Sequence, residues 1–107
     1  MSRNSSSAAP VFAALGDPVR LELVSRLNDG RQHTITQLTD GLALSRQGVT
    51  KHLNVLSDAG IVSREWVGRE CRFTLVPKTI TSAQDYLSRA SAQWDDAIAR
   101  LKLAVED

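Results

Sequence analysis

Residues 44–62 read LSRQGVTKHLNVLSDAGIV and hold a helix with two unlike sides. Ser45 is a strong N-cap type, and Gly60 suits the left-handed position just past a helix end. The stretch therefore predicts a helix over 45–59. Wound at about 100° per residue, Val49, Leu53 and Leu56 fall together and can anchor the helix to a core. Gln47, Lys51, Asn54 and Asp58 lie opposite, with Thr50 at the margin. That second side stays out of the core.

Upstream, Thr36 caps a short predicted helix, Gln37 to Leu42, whose Leu38 faces inward, and Ala43-Leu44 makes a tight connection. Short helix, turn and second helix form a helix-turn-helix. Before it, Asp17-Pro18 starts another helix, because Asp caps well and Pro at the first helical position loses no useful N–H. Val19 or Arg20, Leu23, Val24 and Leu27 give its apolar stripe, and Asn28-Asp29-Gly30 stops it. Val11, Phe12 and Leu15 form a further stripe ending at Gly16. His33-Thr34-Ile35 reads as a very short strand.

Downstream, IVSREWVGRECRFTLV at 61–76 sets β-branched and aromatic residues around Gly68-Arg69, a two-residue hairpin turn. This turn pairs Val67 with Glu70 and Glu65 with Arg72, and puts Val62, Trp66, Cys71, Phe73 and Leu75 on one face. Pro77 ends the second strand. A long helix is predicted over 80–105, with apolar residues at Ile80, Ala83, Leu87, Ala90, Trp94, Ala97, Leu101 and Ala104. Spacings alternate between three and four, as in a heptad seam. The seam packs either on the chain's own helices or on a second copy. Trp66 and Trp94 read as packing residues. The fold class is mainly α, about five helices with a small β-hairpin.

With 107 residues the chain fits one small domain, and the order of elements offers no second one. MSRNSSSAA at 1–9 is rich in Ser and Asn and reads as a disordered leader, leaving 10–107 as the domain. It has no apolar core of the signal-peptide kind, and no run approaches a membrane span, so a soluble cytoplasmic protein is expected. Residues 1–78 carry ten Lys/Arg against seven Asp/Glu, whereas 79–107 carry three against five. The basic excess therefore coincides with the helix-turn-helix.

The polar side of 45–59 has the chemistry to meet DNA. Gln and Asn bond adenine edges, Arg bonds guanine, and Thr bonds a base or touches a thymine methyl. Arg46 and Gln47 sit at the helix start, the end such motifs point into the major groove. Lys51 can reach phosphate. Arg69, at the hairpin tip, can enter a minor groove or neutralise phosphates. His52, beside the anchor stripe, suits a packed, hydrogen-bonded position as well as a phosphate contact.

ALGDPVRLELVSRL, LSRQGVTKHLNVLSDAGIV and VGRECRFTL resemble, in order, the successive signatures of ArsR-type winged-helix repressors. The match spans roughly residues 11–76, and the final helix with Trp94, Asp95, Leu101 and Lys102 is similar too. The resemblance implies a winged helix-turn-helix with a two-stranded wing, and a cytoplasmic homodimer held by the first and last helices. Val11, Phe12, Leu15, Leu87, Ala90, Trp94, Ala97 and Leu101 are the expected interface. It also implies repression at a palindromic operator in double-stranded DNA. By motif position Ser45, Arg46, Gln47, Thr50, Lys51 and His52 match DNA contacts, Arg69 matches the wing-tip arginine, and Asn54 joins them from the helical winding.

One departure concerns metal. Metal-sensing members of that family carry cysteines on the motif's short helix or His and carboxylates on the last helix. TQLTDGL at 36–42 has no cysteine, and the last helix has no histidine. Asp85, Asp95, Asp96 and Glu106 alone are poor company for a zinc-type ion. No metal site and no cofactor are expected, and any small-molecule effector is unknown. The lone Cys71 excludes an intrachain disulfide and reads as a small core residue. Two alternatives stay open, a protein-interaction module docking through the 45–59 helix and a thiol-responsive regulator acting through Cys71. Nothing in the chain frames an active site: there is no phosphate loop or nucleophile elbow, so it does not read as an enzyme.

Overall fold

The computed structural model describes residues 3–106, with side chains over 8–105. The chain runs α1 (Arg3–Leu15), α2 (Pro18–Arg26), β1 (His33–Thr34), α3 (Ile35–Thr39), α4 (Arg46–Asp58), β2 (Val62–Val67), β3 (Glu70–Leu75) and α5 (Pro77–Glu106). Leu23 and Leu27 of the α2 region, Leu38 of α3, and Val49, Leu53 and Leu56 of α4 close on one another, with Ile61 and Phe73 beneath the sheet. All eight are essentially inaccessible to water.

Local chemistry sets the ends of the helices. Asp17 caps α2, its Oδ2 accepting from the N–H of Val19 at 2.9 Å and of Arg20 at 3.2 Å, with Pro18 at the first helical position. Ser45 caps α4 by accepting from Gly48 N–H at 3.0 Å. The other end of α4 is a Schellman motif: Ile61 N–H donates to Leu56 O and Gly60 N–H to Ser57 O. Gly60 takes φ +76°, the left-handed conformation the motif demands and side chains resist. Ile61 and Leu56, which the motif brings together, are both fully buried.

Two helices differ from expectation. The short helix spans Ile35–Thr39 and is capped by Thr34, not Gln37–Leu42 capped by Thr36. Thr34 and Gln37 form a reciprocal capping box, Gln37 N–H to Thr34 Oγ1 at 3.2 Å and Thr34 N–H to Gln37 Oε1 at 3.0 Å. Thr36 has no Glu or Gln three residues on with which to compete. Residues 3–9, read as disordered leader, lie instead in α1, while residues 1–2 fall outside the described residues. Ala8, Val11 and Ala14 are buried, so docking of α1 on α5 stabilises a helix that its Ser-rich start and internal Pro10 would not hold alone.

The hairpin has the register read from the sequence, Val67 opposite Glu70 and Glu65 opposite Arg72. Gly68 has φ +63° and Arg69 does not have positive φ, the signature of a type II′ turn. The sheet has three strands rather than two, ordered β1-β3-β2, because His33 and Thr34 pair with Phe73 and Arg72 on the free edge of β3. Trp66, expected to pack, is 66% exposed: the hairpin projects past the core, so only its root is covered.

Pro77 both ends β3 and opens α5, whose 30 residues give a rod of about 45 Å. Its first half packs on α1, with the rings of Phe12 and Tyr86 5.7 Å apart and Ala83 and Ala90 buried. Beyond Ala90 the rod leaves the body, and the chain reaches 65 Å along its longest axis.

Candidate nucleic-acid interface

α4 lies with Val49, Leu53 and Leu56 in the core and its outer face in water. Arg46, Gln47 and Lys51 are exposed, and among the described residues none has a side-chain hydrogen bond or ion pair within the chain. The first turn of α4 carries no acidic residue, so its uncapped N–H groups and Arg46 make one electropositive end. The other predicted contacts are partly engaged. Ser45 Oγ accepts the cap bond, leaving its O–H free to donate. Thr50 Oγ1 donates to Arg46 O at 2.7 Å, leaving lone pairs and a methyl. Asn54 Oδ1 accepts from Arg64 at 2.5 Å, leaving its amide N–H groups. Val55, 40% exposed, is the single large apolar side chain on the outer side of α4. A helix docking into an apolar protein groove would need more such anchors.

His52 sits apart from the outer residues. It is half-buried, its Nδ1 3.3 Å from Arg20 and 3.8 Å from the carboxylate of Asp17. Arg20 also donates through Nε to Ala14 O. The end of α1, the cap of α2 and the middle of α4 thus meet in one polar knot that fixes how α4 is rotated. The backbone N–H of Arg20 holds the Asp17 carboxyl below its usual value of 3.8, with smaller help from Val19 N–H and the Arg20 and His52 charges. A lowered carboxyl stabilises the fold above that usual value and loses its contribution as pH falls through the folded one. Asp17→Asn, which keeps a capping oxygen but no charge, is therefore expected to melt lower than the parent at pH 6. The gap should close as pH drops below 3.8. Thermal melts across that range by circular dichroism check it; a pH-independent gap would rule out the charge as the cause.

The wing supplies the remaining contacts. Arg69 is exposed at the turn, whereas the wing's carboxylates are occupied: Glu70 pairs with Arg72 at 3.0 Å and Glu65 accepts from Gln32 at 3.0 Å. Arg64, which the motif positions do not single out, also belongs to this surface. It reaches from β2 to Asn54 and lies over the Phe73 ring, 5.4 Å from its centre, bracing the wing root against α4. The clue was in the alternation, since Arg64 falls between Val62 and Trp66 on the inward face of the same strand.

The expected interface residues divide. Val11 and Ala90 are buried within the chain, and Phe12, Leu15 and Ala97 are half-buried. Leu87, Trp94 and Leu101 are exposed, Trp94 by 57% and Leu101 by 65%. Ile98 and Val105, which fall outside the three-four spacing, join them on one side of α5 when the helix is wound at about 100° per residue. Cys71 is buried on the inner wing face, opposite Trp66. Among the described residues no three His, Cys, Asp or Glu side chains gather as a metal site, and no helix is long and apolar enough to cross a membrane.

Residues 15–65 match the family described as "Helix-turn-helix domain". The transcriptional regulator CmtR of Mycobacterium bovis is 32% identical over 101 residues, covering 94% of this chain and 75% of that protein. The transcriptional repressor SmtB of Mycobacterium tuberculosis is 35% identical over 69 residues, covering 64% of this chain and half of that protein. Among solved structures, an ArsR-like transcriptional regulator from Rhodococcus sp. RHA1 superposes with a TM-score of 0.75 at 35% identity, covering 92% of each chain.

Proposed function

The chain belongs to the ArsR-type family of winged helix-turn-helix, DNA-binding transcriptional regulators, and from that premise we propose that it is a homodimeric repressor of a palindromic operator. The observation that carries this reading is the outer face of α4, where Arg46, Gln47 and Lys51 stand exposed with no partner among the described residues. In the major groove Arg46 and Gln47 read base edges, and Lys51 meets phosphate. Ser45, Thr50 and Asn54 offer their remaining hydroxyl or amide groups, and His52 sets the rotation of α4 with only its outer nitrogen left for DNA. Arg69 follows the adjacent minor groove or its phosphates.

Two copies joined along the exposed stripe of α5 would present two α4 helices to successive major grooves, about 34–36 Å apart. An apolar row of this kind on a water-facing rod is what a second copy would cover. Repression follows if the occupied operator overlaps a promoter, the role carried in the name of the SmtB relative. The family is one of regulators, and the chain acts by occupancy without catalysis.

Titration of its own upstream DNA by fluorescence anisotropy tests the reading. Binding is expected at about 10⁻⁸–10⁻¹¹ M and should weaken steeply with salt. Arg46→Ala combined with Gln47→Ala removes two base-reading side chains and should weaken operator binding by on the order of 10²-fold, with the melting temperature unchanged. Micromolar binding on every sequence, or a double variant that binds as the parent does, would refute it.

A further inference from the structure

A cavity of about 440 Å³ lies where α1, the end of α4 and the first three turns of α5 meet. Its size is that of a small-molecule site. Ala8, Val11, Ala59 and Ala83 give it an apolar wall, and Tyr86 an aromatic one. Lys78 and Arg89 supply two cations against the single carboxylate of Asp85, and Thr79 and Ser82 add hydroxyls. Among the described residues neither cation is within 4.0 Å of a carboxylate. The opening turn of α5 lies at the same place, with the N–H groups of Thr79 and Ile80 donating to Val76 O.

We propose that this cavity is an effector site for a small organic monoacid, a carboxylate carried on an aryl or alkyl body. The carboxylate meets Lys78 and Arg89, and the body covers Ala59, Val11 and Ala83. Asp85 disfavours a second negative charge, so the class is a monoanion rather than a phosphate or diacid. The charged rim of the site points away from the apolar stripe: wound along the helix, Ser82, Asp85 and Arg89 fall roughly 140–160° from Leu87, while Thr79, Tyr86 and Ala83 turn towards α1 at about 40–100°.

The cavity also touches the DNA-facing helix. Ala59 is the C-cap residue of α4, and Thr79 Oγ1 donates to Gly60 O at 2.6 Å. Val76 N–H donates to Ile61 O at 2.9 Å beside it. Occupancy that displaces the Lys78–Thr79 turn therefore pulls on the end of α4, and ligand and operator affinities become coupled reciprocally. This coupling rests on the reading of α4 as the DNA helix; the ligand site does not.

The test is an ¹⁵N NMR titration of the full chain without DNA, using benzoate, octanoate and 4-phenylbutyrate, each beside its neutral amide. The acids are expected to shift the amides of Ala59–Gly60 and of residues 78–89, and the neutral amides to bind roughly tenfold more weakly. Lys78→Ala and Arg89→Ala, both at exposed positions, should each cost about tenfold in acid affinity with unchanged melting. If none of the three acids moves those residues, if the amides bind equally, or if shifts gather at Leu101 and Val105, the site is overturned. Anisotropy on the operator with the best acid present reads the coupling, and an unchanged affinity overturns that part. A chain that binds the acid at these residues yet binds no operator would count against the proposed function and leave the site standing.

Discussion

Trp94→Arg is expected to separate the proposed dimer into monomers and to weaken operator binding by roughly 10²–10⁴-fold, the advantage that joining two half-site readers confers. The physical reason is position. Trp94 is 57% exposed in a row that begins at Leu87 and continues through Ile98, Leu101 and Val105 on the free half of α5. A guanidinium there would be buried without a partner at a helix seam, while the protomer, which does not use this row for its own core, would fold unchanged. Asp96→Arg, which makes a larger charge change roughly 180° away from the row, is the control and should remain dimeric. Sedimentation velocity reads the mass. A Trp94→Arg protein that sediments and binds operator like the parent would assign the row another occupant.

Phe73→Ala should cost about 3–5 kcal/mol, a large share of the roughly 5–15 kcal/mol that holds a domain folded. Phe73 is 1% exposed on the central strand of the sheet, facing the leucines of α2, α3 and α4, and its ring carries the Arg64 guanidinium. Truncation opens a void under three elements at once and frees the arginine that braces the wing. Urea denaturation followed by circular dichroism measures the loss. A cost under about 1 kcal/mol would mean that the sheet root contributes little to the core, since cavity-forming substitutions at closed sites rarely cost so little.

Much of this architecture was legible residue by residue. The apolar triad of α4, the caps at Ser45 and Asp17, the left-handed Gly60 and the hairpin register all depend on neighbours within a few positions, where propensity and spacing decide. The short helix slipped because two threonines compete to cap it, and the winner has the matching glutamine. Residues 3–9, which composition reads as a disordered leader, lie in α1, whose later residues Ala8, Val11 and Ala14 are buried and which packs on α5, a contact between segments far apart in the chain. The candidate site was legible in part for the same reason. Helical winding exposes Gln47, Lys51 and Asn54, but not that Asn54 is held by Arg64 or that His52 turns towards Asp17 and Arg20.

By itself the sequence determined which segments are helix or strand, which side of each is apolar, and where the chain turns. Those properties follow from backbone preference and periodicity. Only the tertiary structure decided which apolar positions are consumed at home. Val11 and Ala90 vanish into the α1–α5 contact while Leu87, Trp94, Ile98 and Leu101 remain outside. It alone joined β1 to β3, set Arg64 over Phe73, and opened a cavity between α1, α4 and α5. Each of these depends on the distance between residues far apart in the chain, and such distances are fixed only when the helices pack.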